Sequence, residues 1–81
     1  MKVRLFARAR ELVGADTIDV ELPAGATVGD LRTQVARTCP ALARLLERSA
    51  LAVNDEFADD ALTLPVNAEV ALLPPVSGGA I

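Results

Sequence analysis

Thr27-Val28-Gly29-Asp30-Leu31-Arg32-Thr33-Gln34-Val35-Ala36-Arg37-Thr38 carries the helical period of this chain. Thr27 followed three residues later by Asp30 makes a capping box, with Asp where Glu is usual. The hydroxyl takes one orphan N–H of the first turn and the carboxylate reaches back for another. Val28, Leu31 and Val35 then share one stripe and face a core, which leaves Arg32, Gln34 and Arg37 outside. The helix should stop near Thr38, because Cys39 precedes Pro40 and a residue before proline is pushed out of the α region. Pro40 can itself open a second short helix carrying Leu42, Leu45 and Leu46.

Upstream, Met1 to Phe6 alternates, with Val3 and Leu5 on one side and Lys2 and Arg4 on the other. That is the period of a half-buried strand. Ala7 to Val13 closes at Gly14 and fits a short helical turn. Asp16 to Leu22 alternates again, setting Ile18, Val20 and Leu22 against Asp19 and Glu21, and Pro23-Ala24-Gly25 ends it. Downstream, Leu51-Ala52-Val53 is a short strand followed by the turn signal Asn54-Asp55. Asp59 to Leu64 reads as a loop, and Pro65 to Ala68 as another turn. Glu69 to Leu73 is a last strand with Val70 and Leu72 on one face. Pro74-Pro75 stops it, since neither proline can donate to a ladder.

Two strands, a helix, then short strands to the end describe an α+β domain: a mixed sheet with the helix packed across one face. The β-grasp (ubiquitin-like) arrangement is the economical version, with the first and last strands side by side at the centre. Residues 1–75 form that domain and residues 76–81 a flexible C-terminal tail. At 81 residues there is room for one core and none for a deep catalytic cleft.

The residue inventory excludes most chemistry. There is no His, so the commonest general base is missing, and one Cys leaves no disulfide and no zinc site. Gly14, Gly25 and Gly29 are isolated and build no phosphate loop. Cys39 has no activating partner and reads as a small hydrophobe at a helix boundary. Asp59-Asp60 reads as a solvated loop. All eight basic residues lie between Lys2 and Arg48, and beyond them every charge is acidic. That half repels nucleic acid, and it reads either as an ordinary solvated acidic face or as one that attracts a basic protein surface. With no apolar run long enough for a membrane span, a cytoplasmic location is expected, with neither membrane nor nucleic acid among the partners.

What remains is the tail. Pro74-Pro75-Val76-Ser77-Gly78-Gly79 is a stiff stem ending in two residues without side chains, placed directly after a core strand. Such a stem suits a narrow channel on another protein, because glycine lets a backbone approach a reacting centre closely.

Three segments carry a family resemblance: Val3-Arg4-Leu5-Phe6-Ala7-Arg8-Ala9-Arg10-Glu11-Leu12-Val13-Gly14, Ala52-Val53-Asn54, and Glu69-Val70-Ala71-Leu72-Leu73-Pro74-Pro75-Val76-Ser77-Gly78-Gly79. The chain resembles the MoaD-type small subunits of molybdopterin synthase, ubiquitin-like sulfur carriers. The resemblance implies a carrier that binds no cofactor of its own. An ATP-using, ubiquitin-activating-type enzyme adenylates the carboxylate of Gly79, and a sulfur donor protein converts it to a thiocarboxylate. The tail then enters the large synthase subunit and passes sulfur to cyclic pyranopterin monophosphate. Gly79 carries the chemistry and Gly78 gives access. Phe6, Phe57 and Leu73, with Pro74, Pro75, Val76 and Ser77 of the tail, fall where the family meets its large subunit. Alternation alone also sends Phe6 and Leu73 to the sheet face away from the helix.

The chain departs from the family pattern by continuing with Ala80-Ile81. While Gly79 is held in a peptide bond it has no carboxylate to activate. A peptidase that removes Ala80-Ile81 is therefore implied, unless those residues are a non-native addition or the chain is an inactive relative. Val66-Asn67-Ala68 also stands where the family often has a Gly-Asp turn. Two other readings stay open: a carrier of the same chemistry for thiamin, cysteine or a thioacid metabolite, and a β-grasp interaction module or protein modifier that transfers no sulfur.

Overall fold

The computed structural model describes residues 1–74. Five strands, β1 (Lys2–Leu5), β2 (Thr17–Asp19), β3 (Ala50–Val53), β4 (Glu56–Phe57) and β5 (Val70–Leu73), form one sheet in the order β2-β1-β5-β3-β4. Three helices accompany them: α1 (Ala7–Val13), α2 (Val28–Thr38) and α3 (Ala43–Leu46), the last entered through a 3-10 turn at Pro40–Leu42. β1 and β5 are parallel and every other pairing is antiparallel. This is the mixed sheet expected, with first and last strands adjacent.

The helical period lands as read. Val28, Leu31 and Val35 are fully buried on α2, and the reciprocal Thr27–Asp30 capping box is formed. The remaining first-turn donors are also satisfied: Val28 N–H donates to Leu62 O and Gly29 N–H to Asp60 O, both at 2.9 Å. The loop ahead of β5 is thereby stitched to the helix start. The fit at Gly29 is close: a Cβ there would sit 3.3 Å from the Asp60 carbonyl oxygen and push it back by a few tenths of an ångström.

Arg32 corrects the reading that it points outside. Its guanidinium donates to the carbonyls of Leu46 and Ser49 and pairs with Asp60 at 3.2 Å. It adds a donor at the C-terminal end of α3, where Leu46 O otherwise accepts only a 3.3 Å bond from Ser49 N–H, and ties that end to α2. Asp60, read as part of a solvated loop, is the acceptor of this clasp.

The second strand is shorter than the alternation from Asp16 to Leu22 suggests, but its pairing runs further than its assigned residues. Leu5 N–H donates to Asp16 O at 2.7 Å and Val20 N–H to Met1 O at 2.9 Å. Asn54 and Asp55 both take positive φ, 51° and 68°, which makes a two-residue type I′ hairpin between β3 and β4. Asn67 at φ 59° supplies the left-handed residue of the Pro65–Ala68 turn, a role asparagine tolerates in place of glycine. The core lies between the sheet and the helices, where Val3, Leu5, Leu51, Val70 and Leu72 are each no more than 2% exposed.

Candidate functional site

β5 is the central strand, and the chain leaves the sheet from its C-terminal end. Its register decides what surrounds that exit. Leu5 pairs with Leu72, and Leu73 pairs with Ala50. Phe6, one step beyond Leu5, therefore stands beside Leu73 at the root of the tail. Side chains alternate along a strand, so Arg4, Ala71, Ala52 and Phe57, which are successive partners across four strands, project from the face opposite the core. Leu73 and Ala50 form the next row of that face.

The expected anchors thus share one face, but they do not make a single contact cluster. Phe6 and Leu73 are half-buried neighbours. Phe57 is 77% exposed and lies on β4, two strands out from Leu73 with β3 between them. Sheet spacings put its Cα roughly 12 Å from that of Leu73. Between them lies a floor of alanines, Ala50, Ala52 and Ala71. Reading the chain alone missed that floor, because it needs the register of three strands. The Arg4 guanidinium lies 5.5 Å from the centroid of the Phe6 ring, a cation–π contact that bounds the shelf on the β1 side. A shallow apolar shelf with a phenylalanine at either end can seat a complementary protein surface. It holds no group able to perform acid–base or nucleophilic chemistry.

Pro74 is exposed and is the last residue described. Pro75, Val76, Ser77, Gly78, Gly79, Ala80 and Ile81, and with them the expected domain boundary after residue 75, lie outside the described residues. Cys39 is half-buried and packs against the core at the end of α2, as a small hydrophobe would. Among the described residues no three His, Cys, Asp or Glu side chains gather to hold a metal ion. No helix among them is long and apolar enough to cross a membrane.

The model of the ThiS family matches residues 3–79, from the first strand through the diglycine. The chain belongs to the ThiS family. Among curated relatives, the molybdopterin synthase sulfur carrier subunit of Arabidopsis thaliana is 35% identical over 79 residues, covering 98% of this chain and 82% of its own. Among solved structures, small archaeal modifier protein 1 of Haloferax volcanii superposes with a TM-score of 0.83 at 31% identity, covering 94% of this chain and 97% of its own. A protein–protein complex of subunits 1 and 2 of the molybdopterin-converting factor of Helicobacter pylori contains a chain that matches with a TM-score of 0.66 at 25% identity, covering 96% of both. The β-grasp reading stands on these neighbours and on the observed sheet.

Proposed function

We propose that this ThiS-family chain is the sulfur carrier of molybdopterin synthase in molybdenum-cofactor biosynthesis, and that Gly79 carries the sulfur. The observation that supports this best is positional. The central strand β5 leads in sequence into Pro74-Pro75-Val76-Ser77-Gly78-Gly79, Phe6 and Leu73 stand at the point of departure, and the apolar shelf extends from there to Phe57. A large partner subunit docked on that shelf receives the tail without any rearrangement of the fold.

The chemistry follows from the terminus. Once a peptidase removes Ala80-Ile81, the Gly79 carboxylate attacks the α-phosphorus of ATP held by an adenylating enzyme, forming an acyl adenylate and releasing pyrophosphate. A sulfur donor protein then delivers sulfur at the hydrosulfide level, which displaces AMP with loss of its proton and leaves a thiocarboxylate on Gly79. Where the donor carries a persulfide, a thiol cleaves the intervening acyl disulfide. Gly78 and Gly79 carry no side chain to block entry into a narrow site.

The test compares the chain ended at Gly79 with the chain carrying Ala80-Ile81, each offered to the cognate adenylating enzyme. ATP–pyrophosphate exchange is expected only for the first, followed by the mass change of oxygen replaced by sulfur once the donor is added. Equal exchange by both forms defeats the assignment of Gly79. The likeness to a modifier protein supports a second reading, in which activated Gly79 is joined to a lysine of another protein. A Gly79 isopeptide bond on other proteins in the host, with no thiocarboxylate formed, selects that reading instead.

A further inference from the structure

The root of the tail has a second flank, on the helix side of the sheet. Arg8 and Leu12 of α1 face Arg44, Leu45, Glu47 and Arg48 of the α3 region across an open groove. Arg8 lies two residues beyond Phe6, and Arg48 two residues before Ala50, the strand partner of Leu73. The groove therefore adjoins the exit of the tail, on the side away from the apolar shelf. Its three arginines against one glutamate leave a local charge of +2 (3 − 1) on a chain whose net charge is −3. Arg8 is paired only loosely, with Glu11 at 3.7 Å, and both of those side chains are about two-thirds exposed. Arg44 and Arg48 form no ion pair among the described residues. Leu12 is 39% exposed, an apolar surface between cations.

We propose that this groove is a docking surface for an acidic segment of the large subunit, one that places an apolar side chain on Leu12 and carboxylates on Arg44 and Arg48. The inference rests on the reading that the tail enters that subunit. A protein that takes up the tail to its diglycine must close around the tail's root, and so must cover this flank. Covering unpaired guanidinium groups costs several kcal/mol unless opposite charge meets them. Complementary carboxylates remove that penalty and speed the encounter. The open shelf then supplies the apolar anchors, and the groove sets the orientation in which the tail is presented.

Calorimetric titration of the chain ended at Gly79 into the cognate large subunit, at low and at high salt, tests this. Arg44→Glu and Arg48→Glu are compared with Arg37→Glu, which changes the net charge equally from the last turn of α2. All three side chains are exposed, and thermal melts verify that each variant folds. Each groove variant is expected to bind roughly 10-fold more weakly at low salt, with the difference shrinking as salt screens it. Arg37→Glu should stay within about 3-fold of the native chain, and Leu12→Ala should lose affinity at both salt concentrations. Groove variants indistinguishable from Arg37→Glu overturn the proposal and leave the sulfur-carrier reading intact. Weakening seen only with the adenylating enzyme overturns the assignment to the large subunit. A native chain that does not bind the large subunit at all overturns the functional reading itself.

Discussion

The two faces of the one sheet are built for different tasks. Facing the helices, Val3, Leu5, Leu51, Val53, Val70 and Leu72 are each 5% exposed or less, a closed layer of branched side chains. Facing away, Arg4, Ala50, Ala52, Ala71, Leu73 and Phe57 form a shelf of small side chains with large ones at its margins. Adjacent residues of a single strand, Leu72 and Leu73, thus belong to the core and to the face proposed for recognition. Substitutions on the first face should register as stability. Those on the second should register as affinity.

The largest effect expected is Leu72→Ala. Truncating a buried leucine removes its transfer free energy and leaves a cavity, together about 2–5 kcal/mol. A domain of this size has a total stability of only ~4–12 kcal/mol, so a large share of it is lost. Leu73→Ala should cost less, about 1–2 kcal/mol, because its side chain is only partly buried and opens no closed cavity when truncated. Denaturant titrations of the two variants decide. Equal losses erase the distinction between the faces.

Arg32 sharpens the contrast from a different side, because it is a polar residue that serves the core. Arg32→Ala removes the guanidinium donor from the Ser49 carbonyl, leaves Leu46 O with only the long bond from Ser49 N–H, and frees α3 from α2, at an expected cost of about 2 kcal/mol. Asp60→Ala removes only the exposed ion pair and should cost under ~1 kcal/mol. Arg32→Lys should recover only part of the loss, because an ammonium cannot reproduce the guanidinium's planar fork. Thermal melts that rank Asp60→Ala above Arg32→Ala contradict this account of the clasp.

Legibility in the sequence follows range. The stripe Val28, Leu31, Val35 and the Thr27 cap were readable because their periods are local, and so was Asn54-Asp55, since a short turn with two positive φ values selects such residues. The function of Arg32 was not, because its acceptors lie 14, 17 and 28 residues away. Alternation placed Phe6 and Leu73 on one face without knowledge of the register. It could not place the alanine floor, which depends on three strands meeting in a particular alignment. The role proposed for Gly79 rests on family resemblance alone, as two glycines near a terminus carry little by themselves.

Phe6 tests the open face directly. If the shelf is the interface proposed for the large subunit, Phe6 anchors it, and Phe6→Ala should weaken the complex by roughly 1–3 kcal/mol. The loss of stability in the free protein should fall well short of the ~3–5 kcal/mol of a truncated core phenylalanine, because the ring is half-exposed beside Arg4. Calorimetric titration beside thermal melts separates the two. Unchanged affinity with a collapsed melting temperature assigns Phe6 to the core and removes the shelf as an interface.

The smallest effect belongs to the residue that joins the two faces. Ala7 follows Phe6 directly and takes φ 49°, a left-handed conformation in which an L side chain's Cβ crowds the following carbonyl. The chain turns there from the open-face position of Phe6 into α1, whose Ala9 is buried in the core. The conformation is imposed by what lies on either side, since Phe6 must reach the shelf while Ala9 reaches the interior, and only Ala7 and Arg8 separate them. Glycine adopts such angles without that crowding, which is worth about 1–2 kcal/mol, but it loses roughly 0.5–1 kcal/mol through the greater freedom of the unfolded chain. Ala7→Gly should therefore stabilise the protein slightly, by about 0.5–1 kcal/mol, and leave affinity for the large subunit unchanged. Ala7→Val should do the reverse, because a β-branched side chain is a steric outlier at positive φ. If Ala7→Val melts with or above the native protein, the left-handed turn at Ala7 is not the geometry that sets Phe6 on the open face.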